Sequence, residues 1–219
     1  MPVLLFSVIA HEYAHGYAAL KQGDDTALVL GRLTWNPIKH IDPFMTVLLP
    51  LMLALVHGPI LGGAKPVPVN PRKYRNYKRG DIIVSLAGVF TNFLLAVAAV
   101  VVFVLVGLLG RVAPAAGSTL GVLQAMMVQA VTLNLILIAF NLIPIPPLDG
   151  SHVIKYCMPV SWAVRYQQFG RYGIILLLVL MALPNNLLMI WMRPAFMVVG
   201  VLFRWVDPFS LPSLAQWLA

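Results

Sequence analysis

The stretch Pro2-Val-Leu-Leu-Phe-Ser-Val-Ile-Ala-His11-Glu12-Tyr13-Ala14-His15-Gly16-Tyr-Ala-Ala-Leu20 is apolar at nearly every position except three. Its length approaches the roughly 20 residues that carry a helix across a bilayer. An ionisable group inside such a helix costs roughly 3 kcal/mol unless it is paired or metal-bound. Here His11, Glu12 and His15 stand together. Helical residues four apart share a face, so both imidazoles can reach one ion. Glu12 projects about 100° round the helix from His11, beside that ion, where it can take a proton from a bound water. Against this stands the reading that the helix begins at the membrane surface and these are interfacial polar residues. Spacing and burial together favour the metal.

Working outward, the rest of the chain has the same character. Of 219 residues, 60% are hydrophobic and 10% charged, whereas a soluble domain is roughly a quarter charged. This is the composition of a multi-pass membrane protein. No basic stretch and small-residue cleavage site precede the first apolar run, so that run is expected to be retained as a helix. Further apolar segments cover about 44–61, 82–109, 120–142, 173–183 and 187–203. The second contains Pro50 and His57-Gly58-Pro59, so it either spans or re-enters; the last two form a tight helical hairpin, about 172–204, or one interrupted span. The expected fold is all-α and polytopic, with about six transmembrane or re-entrant helices in a single domain whose core is about 1–155. Residues 26–35 (TALVLGRLTW) partly alternate and hold β-branched and aromatic residues, which reads either as a short membrane-associated strand or β-hairpin after the first helix or as an ordinary loop at the membrane surface. An exposed strand edge there would pair with an extended substrate backbone.

The formal net charge of +8 does not point to nucleic acid, because Lys65, Arg72, Lys73, Arg75, Lys78 and Arg79 crowd one loop between apolar segments. Juxtamembrane positive charge marks the cytoplasmic side and contacts anionic lipid. With Lys155, Arg165 and Arg171 on the same side, charge favours a cytoplasmic N-terminus. Cys157 is the single cysteine, so a metal must be held by His, Asp or Glu.

A catalytic zinc takes three protein ligands and leaves a position for water. Two histidines therefore need a partner, and the chain has seven acidic residues. Asp149 stands out, because it follows Asn141-Leu-Ile-Pro-Ile-Pro-Pro-Leu, where three prolines must end or unwind the fourth apolar helix. Unwound backbone at membrane depth is tolerated where it lines a cavity, and it can aim a carboxylate sideways. His152, three residues on, is a rival for that place but reads rather as a residue behind the ligands or at the surface. Asp24, Asp25 and Asp42 read as solvated loop residues, and His40 and His57 as local hydrogen-bonders.

These residues, taken with Asn36-Pro-Ile-Lys-His-Ile-Asp-Pro43, Lys65-Pro-Val-Pro-Val-Asn-Pro71 and Leu86-Ala-Gly-Val-Phe-Thr-Asn92, resemble the site-2 protease family of intramembrane zinc metalloproteases, peptidase family M50, in a short form without a PDZ or CBS domain. The motifs run in family order over about two thirds of the chain. The resemblance implies one zinc ion per chain on His11, His15 and Asp149, with Glu12 as catalytic base. It implies that Asn141 helps to position substrate, and gives Asn92 a weaker supporting role. It further implies membrane-protein or membrane-bound peptide substrates, regulated intramembrane proteolysis and residence in a prokaryotic plasma membrane. Gly62-Gly63-Ala64 and Val89 depart from the family pattern at positions that bear on loop packing and substrate fit. The competing readings are a metal-ion transporter and a non-proteolytic scaffold of the same fold. Sparse polar residues along the third span argue against the first, and the intact Glu12 against the second.

Overall fold

The computed structural model describes residues 2–48, 51–52, 55, 63–182 and 187–218. Along the chain its helices are α1 (Pro2–Gln22), α2 (Thr26–Val29), α3 (Tyr77–Val112), α4 (Gly117–Asn141), α5 (Asp149–Ile154), α6 (Val160–Phe169), α7 (Gly173–Ala182), α8 (Leu187–Val206) and α9 (Ala215–Leu218). Three stretches, Tyr77–Val112, Pro114–Asn141 and Leu187–Phe209, are long and apolar enough to cross a membrane by length and composition. Helix α1 has 21 residues but is not among them, because His11, Glu12 and His15 interrupt its apolar run. The two C-terminal apolar stretches form separate helices, α7 and α8. Most of the segment 44–61, including His57, lies outside the described residues, apart from a π-helical turn at Pro43–Leu48.

The β-hairpin expected at 26–35 is not there, and no strand occurs among the described residues. Helix α1 ends at Gly23, whose positive φ of 109° closes the turn: Asp24 N–H donates to Ala19 O and Gly23 N–H to Leu20 O. That turn places the Asp24 carboxylate to accept from both the N–H and the hydroxyl of Thr26. This Asx turn leads into a helical turn, and Val29 and Leu30 N–H close on Asp25 and Thr26 carbonyls. Local turn hydrogen bonding thus overrides the β-propensity of Thr26 and Val29. Substrate pairing to a strand edge at 26–35 goes with the hairpin.

The chain groups into two compact units, one of Met1–Ser7, Asn92–Phe140 and Met189–Ala219, the other of Val8–Thr91 and Asn141–Leu188. In the first, Phe103, Ala125, Val206 and Leu214 form one buried cluster and Ala99, Ala130 and Val131 another. Gln124 is fully buried there and completely used: its amide donates to Phe103 O and Phe209 O, and its oxygen accepts from Leu211 N–H. The 207–214 segment is held to α3 and α4 in this way. In the second unit, Ala19 of α1, Tyr74 and Val84 of α3 pack together. Asn76 caps α3 by accepting from Arg79 N–H at 3.0 Å. Asn36-Pro37 and Asn70-Pro71 each open a 3-10 turn, the asparagine oxygen accepting from the N–H two residues on while proline supplies the fixed φ.

Candidate metal centre

Helix α1 carries His11 and His15 one turn apart, and their rings meet edge to face with Nε2 atoms 3.0 Å apart. The His15 ring is oriented from behind: its Nδ1 lies 2.7 Å from the Val84 carbonyl of α3. A carbonyl only accepts, so Nδ1 carries the proton and Nε2 is the ring atom left to face a ligand. His11 is buried against α3 at Gly88. A Cβ at residue 88 would lie 2.5–2.6 Å from three atoms of the His11 ring, so glycine is what admits the imidazole.

The third group arrives from the other end of the sequence. After Asn141 the prolines stop α4, since each removes a backbone donor and fixes φ. The 142–148 turn is held by Tyr166 of α6, whose hydroxyl donates to Pro144 O at 2.8 Å. Asp149 then opens α5 with its Oδ2 3.3 Å from His11 Nε2 and 3.4 Å from His15 Nε2. This oxygen is out of solvent contact, and no hydrogen bond satisfies it.

The donor atoms test directly whether a metal fits. A tetrahedral zinc with bonds of about 2.0–2.1 Å sets its ligand atoms about 3.3 Å apart. The separations here are 3.0, 3.3 and 3.4 Å, one triangular face of such a tetrahedron. Two imidazole nitrogens and a carboxylate oxygen converge with an acceptor left unsatisfied, which is an arrangement that a cation relieves. Among the described residues this is the group of three His, Cys, Asp or Glu side chains that could hold a metal ion.

Glu12, next along α1, is held by the Lys65–Asn70 segment. Its Oε2 accepts from Val67 N–H at 2.8 Å. Pro66 and Pro68 flank that donor, so the chain between them is kept out of helix and offers a single N–H. Arg32 reaches the same segment from the other side, donating to Lys65 O at 3.0 Å.

The remaining predicted residues divide. Asn141 is half-buried at the C-terminal end of α4, and Asn92 is completely buried within α3. His152 does not join His11 and His15; its Nδ1 lies 3.2 Å from Asp81. His40 is buried with Nε2 2.9 Å from Thr34 O, a local contact. Asp24, expected in solvent, is instead buried, binding the backbone of Thr26 and Asn70. Asp25 is exposed beside Lys73 at 2.6 Å, and Asp42 accepts from Phe44 N–H. What sequence reading passed over is backbone: Val67 N–H and Val84 O, which no side-chain motif announces. Gly88 and the proline pair around Val67 were the signals available.

Comparison with known proteins follows the same line. The sequence model for peptidase family M50 matches residues 1–128 and 105–183. The chain is 41% identical over 195 residues to “Putative zinc metalloprotease YwhC” of Bacillus subtilis, covering 87% of this chain and 85% of that protein. It is 29% identical over 185 residues to “Putative zinc metalloprotease Rip2” of Mycolicibacterium smegmatis, covering 82% of this chain and 65% of the relative. The Mycobacterium tuberculosis protein of the same name is 28% identical over 181 residues, with 83% and 65% covered. No solved structure matches the chain.

Proposed function

The chain belongs to peptidase family M50 and is by that membership a zinc metalloprotease, and we propose that it hydrolyses peptide bonds within or beside the membrane-spanning segments of membrane-protein substrates. The observation that carries the proposal is the triangle of His11 Nε2, His15 Nε2 and Asp149 Oδ2, with Glu12 adjacent to the first of them. In this reading the three side chains hold one zinc ion per chain. When bound, zinc supplies Lewis acidity, bringing the pKa of a water towards about 7 and polarising the scissile carbonyl.

The protein's own groups do the rest. Glu12 takes the proton of the attacking water on its carboxylate and later gives it to the leaving amine nitrogen. Val67 N–H, bonded to Oε2, keeps that carboxylate in place through both transfers. Asn141 is the neutral donor offered to the oxygen on which negative charge develops, with Asn92 in a supporting role. Val84 fixes the His15 ring, so the ligand set needs no reorganisation as charge moves.

A substrate helix has its peptide groups tied up in internal hydrogen bonds, so it must unwind before a carbonyl can be attacked. Spans with Gly, Pro or polar residues are the expected substrates. The test uses the full chain reconstituted in proteoliposomes with a single-span peptide carrying a Gly-Pro pair in its span. Glu12→Gln is expected to lose cleavage by on the order of 10² to 10⁴ while keeping its zinc. Undiminished cleavage by that variant overturns the proposal.

A further inference from the structure

Asp81, in the second turn of α3, is a buried carboxylate with an unusual number of partners on one short stretch of chain. Its Oδ2 lies 2.6 Å from Lys155 Nζ and accepts from the Tyr156 hydroxyl at 2.9 Å, while Oδ1 lies 3.2 Å from His152 Nδ1. The Lys155 ammonium, itself largely buried, sits over the rings of Tyr156 and Tyr77 at 5.1 and 5.8 Å. Lys78 covers the Tyr156 ring at 5.4 Å. Every partner of the Asp81 carboxylate thus belongs to residues 152–156, the stretch that continues directly from Asp149. Breaking such a buried pair is strongly unfavourable, unlike breaking one at a wet surface. The stretch is therefore pinned.

Position along α3 gives the pin its meaning. Residues 81, 84 and 88 follow the i, i+3, i+7 spacing of one helix face. Val84 on that face orients the His15 ring, and Gly88 makes room for the His11 ring. Asp81 completes the series by holding the segment that presents Asp149. One face of one helix is in contact with the carrier of each ligand.

We propose that Asp81 is a positioning residue of the metal centre: through Lys155, Tyr156 and His152 it sets the register of residues 149–156 so that Asp149 Oδ2 meets both imidazoles. The inference rests on the metal-centre reading above and adds a residue remote in sequence from all three ligands. It accounts for a buried acid in a segment otherwise rich in Lys and Arg, where one isolated carboxylate has no role in topology.

The experiment is a double-mutant cycle on zinc affinity, read by competition with a chromophoric chelator on the full chain in nanodiscs. Asp81→Asn is expected to weaken zinc by on the order of tenfold or more, the size of effect produced by outer partners of metal ligands. In the Asp149→Ala background the same substitution should change affinity no further, because it acts through the ligand already removed. The cobalt(II)-loaded Asp81→Asn protein, at helix content by circular dichroism equal to wild type, should also lose part of its four-coordinate visible absorption, which in folded protein reports the ligand geometry itself. Should Asp81→Asn fail to fold, Tyr156→Phe removes one contact and should show the same non-additivity with a several-fold effect. Wild-type affinity in Asp81→Asn, or an equal loss in both backgrounds, overturns the positioning role. Wild-type affinity in Asp149→Ala alone instead overturns the metal centre, and the positioning role with it.

Discussion

Gln124 and Asp149 are both polar side chains taken out of water, one in each compact unit, and they are treated in opposite ways. Gln124 spends both amide hydrogens and its oxygen on Phe103, Phe209 and Leu211, so nothing of it is left unpaired. The Oδ2 of Asp149 is equally hidden but has no hydrogen bond, and faces two imidazole nitrogens that are themselves turned toward each other. A satisfied buried amide holds a fold together; a buried carboxylate oxygen with no hydrogen bond, facing two imidazole nitrogens, is a place for a bound cation or proton. The difference separates the part of the molecule built for stability from the part built for chemistry.

The comparison can be broken most decisively at Asp149. Asp149→Ala should abolish tight zinc binding and cleavage, yet leave the thermal midpoint of the metal-free protein unchanged or raised, because an unsatisfied charge has been removed. A large fall in that midpoint would show that the carboxylate stabilises the fold and would erase the contrast. Gln124→Leu should do the reverse. It strands the Phe209 carbonyl and the Leu211 N–H, lowering stability by about 2–4 kcal/mol in a thermal or denaturant measurement while the zinc content of folded protein stays at one per chain. Gly88→Ala lies between the two. Its Cβ would push on the His11 ring, so zinc affinity should fall by roughly tenfold, as for a displaced outer partner, with helix content by circular dichroism retained. At the small end, Asp25→Asn removes an exposed partner of Lys73 and should leave both melting and zinc binding unaltered within error.

The convergence of His11, His15 and Asp149 was legible in the sequence because its signals are short-range. His11 and His15 announce themselves by one helical turn of spacing, and Asp149 by three prolines that forbid any continuation of α4. The long apolar runs at 82–109, 120–142 and 187–203 were legible for the same reason, since each is a local run that needs no distant partner. The β-propensity of residues 26–35 misleads because it omits the Asp24 carboxylate, which holds an Asx turn at Thr26 ahead of a short helix. Asp24 itself looked solvated; its burial depends on Asn70, far along the chain. Asp81 and Gln124 gave no local sign at all, because the partners of Asp81 lie more than seventy residues away and two of those of Gln124 more than eighty. Backbone groups such as Val67 N–H and Val84 O are invisible to any reading of side chains.

The most direct measurement is zinc X-ray absorption on the full-length protein in nanodiscs. The expected result is one zinc per chain with about four nitrogen or oxygen neighbours at about 2.0–2.1 Å, outer-shell scattering from two imidazoles, and loss of that spectrum in Asp149→Ala. A zinc bound only by water oxygens, or a spectrum that survives Asp149→Ala intact, would contradict it.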